Sequence, residues 1–161
     1  MRRTSMIAAA VAAAALAVLL VPGSAQAQTA SNNFTVTATV GKVCTVNAAP
    51  IVIASYDPNN GTPTVGTTNV NVACTKNTTY TTFLTSAKGW TLTDTTTTAG
   101  NSLNYAISRG TPAVPWNETN GWGGSAPGRA AVPYLATATI GALQDVPPGI
   151  YTDTVTVNVN Y

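Results

Sequence analysis

No histidine occurs in the 161 residues, so the commonest general base and metal ligand is missing. What remains able to do chemistry is thinly spread. Asp57, Asp94, Asp145 and Asp153 are far apart in sequence, and Glu118 stands alone. Asp57 with Asn59 and Asn60 offers calcium one carboxylate, and the run Asp57-Pro58-Asn59-Asn60-Gly61 reads instead as a turn. Asp153 reads as the residue that starts a strand rather than as a catalytic acid. Gly121-Trp122-Gly123-Gly124 lacks the strand-to-helix context and the lysine of a phosphate cradle. Trp116 and Trp122 are candidates for stacking on a sugar or a surface, with packing over a core as the favoured alternative. These residues point to no enzyme, no metal and no cofactor.

Cys44 and Cys74 are the two cysteines, and export would make them a disulfide. Export is written at the start of the chain. Arg2 and Arg3 precede an apolar run from Ile7 to Val21, and Ala25-Gln26-Ala27 fits signal cleavage, giving a signal peptide of residues 1–27. No later stretch reaches the ~20 apolar residues of a membrane helix. Removing 27 residues from 161 leaves 134, enough for one domain. The mature chain keeps Lys42, Lys76, Lys88, Arg109 and Arg129 against five acids, so its net charge is near zero. No basic patch is available for phosphates, which argues against nucleic acid.

The elements that would position anything are strands. Threonine fills about a fifth of the mature chain, valine is abundant, and both favour the pleated sheet. Strands are predicted at Val43–Val46 with Ile51–Ala54, around Val70, Val72 and Cys74, and over Tyr80–Thr85 and Trp90–Thr93. Others fall around Leu103, Tyr105 and Ile107, over Tyr134–Ile140 and over Ile150–Tyr161. Thr111–Arg129 reads as the longest irregular stretch. Short strands between turns in about 120 residues indicate a β-sandwich.

Two alternating segments stand out at the ends of the mature chain. Phe34, Val36, Ala38 and Val40 alternate with threonines, and Val155, Val157, Val159 and Tyr161 alternate with Thr and Asn. The second set should face the core, since a slip of one residue would bury the polar face instead. An immunoglobulin-like sandwich needs a further strand beside the last one, and the unassigned alternating segment precedes the body. The reading is an all-β, incomplete immunoglobulin-like sandwich with an N-terminal donor strand. Its divisions are a signal peptide (1–27), a donor-strand extension (28–41) and the sandwich domain (42–161).

These landmarks resemble the spore coat protein U domain family, also found in subunits of archaic (Csu-type) chaperone–usher pili. The resemblance rests on Phe34–Val40 followed by Cys44-Thr-Val, on Tyr56-Asp-Pro58, Val70-Asn-Val-Ala-Cys74-Thr, Leu103-Asn-Tyr105 and Trp116, and most of all on Pro148-Gly-Ile-Tyr151-Thr-Asp153 with its alternating close at Tyr161. It implies a periplasmic chaperone, an outer-membrane usher, and partners that are other copies or related pilus subunits. It implies polymerisation by donor-strand complementation, with Phe34, Val36, Ala38 and Val40 as donor and the Val155–Tyr161 strand walling the acceptor groove. The expected product is a surface fibre serving adhesion or biofilm formation. The competing expectation is a monomeric secreted coat or carbohydrate-binding protein.

Overall fold

The computed structural model describes residues 27–96, 100–110 and 113–161. All but Ala27 of the predicted signal peptide lies outside the described residues. The chain forms two units, one ending at Ala38 and one running from Thr39 to Tyr161. In the first, residues 27–38 belong to no strand.

The second unit holds ten strands among the described residues: β1 Cys44–Ala48, β2 Thr64–Cys74, β3 Thr79–Ser86, β4 Thr91–Asp94, β5 Ser102–Arg109, β6 Val114–Pro115, β7 Trp122–Ser125, β8 Val132–Ile140, β9 Tyr151–Thr152 and β10 Val155–Asn160. All pairings are antiparallel. One sheet runs β1-β2-β8-β5-β4-β9 with β6 beside β5, and the other runs β10-β3-β7.

Period-two alternation decides which face each strand buries. Val70, Val72 and Cys74 of β2 are buried with Tyr134, Ala136, Ala138 and Ile140 of β8 and with Leu103 and Ile107 of β5. From the other sheet, Tyr80, Thr82 and Leu84 of β3 face them. The hydroxyls and indole N–H of the core are partnered, as burial demands, while Arg109 Nε is buried without a hydrogen-bond partner. The Tyr80 and Tyr134 hydroxyls lie 2.6 Å apart, and Trp116 Nε1 donates to Thr82 O at 2.9 Å. The Thr82 hydroxyl donates to the Trp122 carbonyl. Cys44 and Cys74 are directly opposed in the β1–β2 ladder and form the expected disulfide. With a separation of 30 residues it stabilises by roughly 3–4 kcal/mol in the chain-entropy model.

Three features depart from the sequence reading. Ile51–Ala54 is no strand; Ile51 and Ile53 instead lie against Gly66 of β2, where an added Cβ would sit 2.6 Å from Ile51 Cγ2. The Thr111–Arg129 stretch, whose residues 111–112 lie outside the described residues, contains β7, which pairs with β3. Gly123 makes that possible, because a Cβ there would lie 2.0 Å from the Tyr80 carbonyl oxygen. Ile150–Tyr161 is two strands: β9 pairs with β4 in one sheet, and after Asp153-Thr154 the chain continues as β10 in the other.

Candidate functional site: an open cleft between the sheets

Along one side of the sandwich the two sheets are not joined by any ladder. There β1 is an edge of the large sheet and β10 an edge of the small one. Val46 of β1 shows what this opening uncovers. It faces the same way as Val72, its ladder partner, yet it is 40% exposed where Val72 is 1% exposed. On the opposite wall Val155, Val157 and Val159 pack against the core but are only half-buried. The cleft has a volume of about 1020 Å³, with Val70, Leu84, Ile107 and Ala136 in its lining. Those four are buried, and the apolar surface left part-exposed here is that of Val155 and Val157, which costs free energy until it is covered.

The segment after β1 forms part of the rim. Residues 49–56 belong to no strand, and among the described residues they make no backbone–backbone hydrogen bond. Ile51 and Ile53 hold the segment against the bare backbone of Gly66. Its far end is tied by Tyr56, whose hydroxyl donates to Gly141 O at 3.0 Å and accepts from Gln144 N at 2.7 Å. Together with the free side of β10, this leaves unpaired backbone on both sides of an apolar slot. That is the chemistry of an extended peptide receptor.

A polar clamp fixes the start of β10. The Asp153 carboxylate accepts from Ser86 Oγ at 2.5 Å, Tyr105 Oη at 2.7 Å and Thr154 N at 2.7 Å. Ser86 Oγ also accepts from Trp90 N at 2.7 Å, so the clamp gathers β3, β5, the turn before β4 and the β9–β10 crossing. Burial, then the hydrogen bond and charge of Asp153, push the Tyr105 phenol well above its ordinary range. Burial, then its hydroxyl neighbour Tyr80, does the same to Tyr134.

The residues singled out from sequence fall as follows. Phe34, Val36 and Val40 are 87%, 82% and 81% exposed, Ala38 is exposed too, and none of the four lies in a strand. Val155, Val157 and Val159 line one side of the core, while Tyr161 differs from the expected pattern at 55% exposed. The β10–β3 ladder stops at Asn160 opposite Thr81, so nothing holds Tyr161 inward. The surface role entertained for Trp116 is corrected: it is 0% exposed. The Trp122 ring is engaged by Tyr134 at 4.7 Å, Trp116 at 5.7 Å and the Arg109 guanidinium at 5.4 Å, which leaves little of it for stacking on a sugar. Gly66, and the partnership of Asp153 with Ser86 and Tyr105, were not anticipated. A lone glycine inside an alternating strand was the available signal for the first. Among the described residues no group of His, Cys, Asp or Glu gathers to hold a metal, and no helix is long and apolar enough to cross a membrane.

The Spore Coat Protein U domain model matches residues 30–158, and the chain belongs to this family. The match begins at residue 30, so it takes in the Phe34–Val40 segment. The fold is similar to that of a chain in the crystal structure of the CsuC–CsuE chaperone–tip adhesion subunit pre-assembly complex from archaic chaperone–usher Csu pili of Acinetobacter baumannii. The TM-score is 0.57 at 24% identity, over 76% of this chain and 41% of that one. No match was found among curated proteins.

Proposed function

We propose that the protein is a structural subunit of a surface pilus, polymerised by donor-strand complementation. The observation that carries this reading is the apolar cleft beside the free edge of β10, in a chain that also displays an exposed segment of alternating apolar residues. Family membership and the pilus-complex fold support it. In this reading the mature chain starts near Gln28, and residues 28–41 serve as the donor extension of the 42–161 body. A periplasmic chaperone shields the cleft after export, an outer-membrane usher receives the subunit, and the fibre serves adhesion or biofilm formation.

The mechanism follows from the two surfaces. Seven residues from Phe34 to Val40 extend to roughly 20 Å, close to the length of β10. Paired with β10, they turn Phe34, Val36, Ala38 and Val40 into the cleft and leave the threonines outside. Burying Phe34 and the two valines contributes roughly 5–9 kcal/mol before ordering costs. Ladder hydrogen bonds fix the register, because a slip of one residue would put threonines in the cleft. One copy therefore donates to a second and accepts from a third, a head-to-tail contact that propagates as an open filament.

The test uses Phe34→Asp, which changes an exposed side chain and leaves the body intact, and Val157→Asp, which puts a charge in the cleft wall. Neither variant should form filaments by electron microscopy when exported alone. Mixed, they should give only short complexes in which Val157→Asp donates to the Phe34→Asp cleft. Normal filaments from Phe34→Asp alone would overturn the reading.

A further inference from the structure

Seven of the ten charged side chains of the mature chain fall into two groups of opposite sign at the two ends of the sandwich, three cations and four aspartates. Gly41 and Val43 are pinned to Thr75: Thr75 Oγ1 donates to Gly41 O at 3.2 Å, and Val43 N donates to Thr75 Oγ1 at 3.1 Å. Lys42 therefore lies beside Lys76, and Arg129 joins Lys76 in lining a shallow hollow with Thr75. All three cations are exposed. At the opposite end, the Tyr56–Gln144 tie brings Asp57 and Asp145 into neighbouring loops. Asp94 lies there too, its carboxylate oxygen 2.9 Å from where a Cβ on Gly149 would sit. Asp153 is at this end in its clamp, and Lys88, bonded to Thr93 Oγ1 and Thr152 O, is the one cation here. Arg109 stacks on Trp122, away from the acidic loops.

We propose that these ends form a charge-complementary contact between successive copies of this chain, the Lys42–Lys76–Arg129 end of one seated against the Asp57–Asp94–Asp145 end of the next. The inference rests on the pilus reading and adds an interface to it. Strand direction supplies the geometry. β10 runs away from the acidic end: Val155 pairs with Ser86 there, and Asn160 pairs with Thr81, five residues past Lys76. A donor antiparallel to β10 finishes with Val40 at the acceptor's acidic end, which delivers the donor's own Gly41–Val43 and its three cations to that end. A parallel donor would set basic end against basic end. The contact thus steers encounter and favours one insertion direction, while the uncharged donor segment supplies the apolar burial.

Salt separates the two contributions. Residues 34–40 carry no charge, and apolar insertion is not weakened by screening. Steering between exposed charges is screened once the Debye length falls to a few ångströms. Assembly of mature subunit released from its chaperone would be followed by light scattering, with filaments checked by microscopy. Between about 0.02 M and about 0.5 M sodium chloride the wild-type rate should fall about tenfold. Inverting the basic end (Lys76→Glu with Arg129→Glu) or the acidic end (Asp57→Lys with Asp145→Lys) should slow assembly to the high-salt rate. Mixing the two inverted proteins should restore the rate, because each then presents an opposite charge to the other at both contacts. Filaments whose rate ignores salt and both inversions would overturn the contact and leave the pilus reading standing. Wild-type subunits that make no filaments at any salt would instead remove the pilus reading, and the contact with it.

Discussion

Replacing Asp153 by alanine removes the acceptor of three hydrogen bonds, those from Ser86 Oγ, Tyr105 Oη and Thr154 N. Bonds to a charged group contribute roughly 1.5–3 kcal/mol each, and leaving a buried donor unpaired adds to the loss. Asp153, Ser86 and Tyr105 are half-buried and Thr154 is exposed, so water can replace part of what is removed. A loss of about 3–5 kcal/mol is expected, equivalent to roughly 10–20 °C in the melting temperature of a domain this size. Asp153→Asn should lose less, because its remaining carbonyl still accepts one or two of the bonds. Urea unfolding of a monomer carrying residues 32–41 after Tyr161 in place of residues 28–41 gives the number, and a double-mutant cycle with Ser86→Ala isolates the pair, with a coupling of about 1–2 kcal/mol expected. The variant should also capture a donor strand more slowly, since β10 would be held at its start by β3 alone. A loss below about 1 kcal/mol, or strict additivity with Ser86→Ala, would refute the idea that this clamp fixes the strand.

Two further outcomes follow from the same interior. Trp116→Ala should cost about 3–5 kcal/mol in urea unfolding, since it empties a fully buried site and strands the Thr82 carbonyl; a cost typical of a surface tryptophan would contradict its place in the core. Stability should decline as pH rises above about 10, because the unfolded chain releases the Tyr105 and Tyr134 protons there while the folded chain retains them. Urea midpoints measured across that range should fall less steeply for Tyr105→Phe, and midpoints that rise would contradict the environments assigned to these phenols.

Alternation made much of the sandwich readable. Val70, Val72 and Cys74, Leu103 and Ile107, and Tyr134 to Ile140 repeat every second residue because one face of each strand meets the core and the other meets water. The Cys44–Cys74 bridge was equally legible from export and the cysteine count. What stayed hidden depends on neighbours distant in sequence. Gly123 and Gly124 read as loop formers, yet both lie in β7, where Gly123 allows close approach to the β3 backbone. Ile150 to Tyr161 reads as one strand, and only a second sheet explains the crossing at Asp153. Ile51 and Ile53 alternate like a strand but find Gly66 beneath them rather than an edge to pair with. Alternation at Phe34–Val40 describes the residues' faces, whereas a strand also requires a partner.

The central claim is that the cleft needs a strand supplied from outside the body. It is tested most directly by attaching residues 32–41 through a flexible linker after Tyr161, in a mature chain whose own residues 28–41 have been removed. The linker makes insertion intramolecular at a high effective concentration. Melting temperatures of the chains with and without the added strand, each purified free of chaperone, are then compared. The complemented chain should be a soluble monomer melting at least about 10 °C higher, and the uncomplemented one should aggregate. Equal melting temperatures and equal solubility would show that the sandwich is already complete, and would contradict the claim.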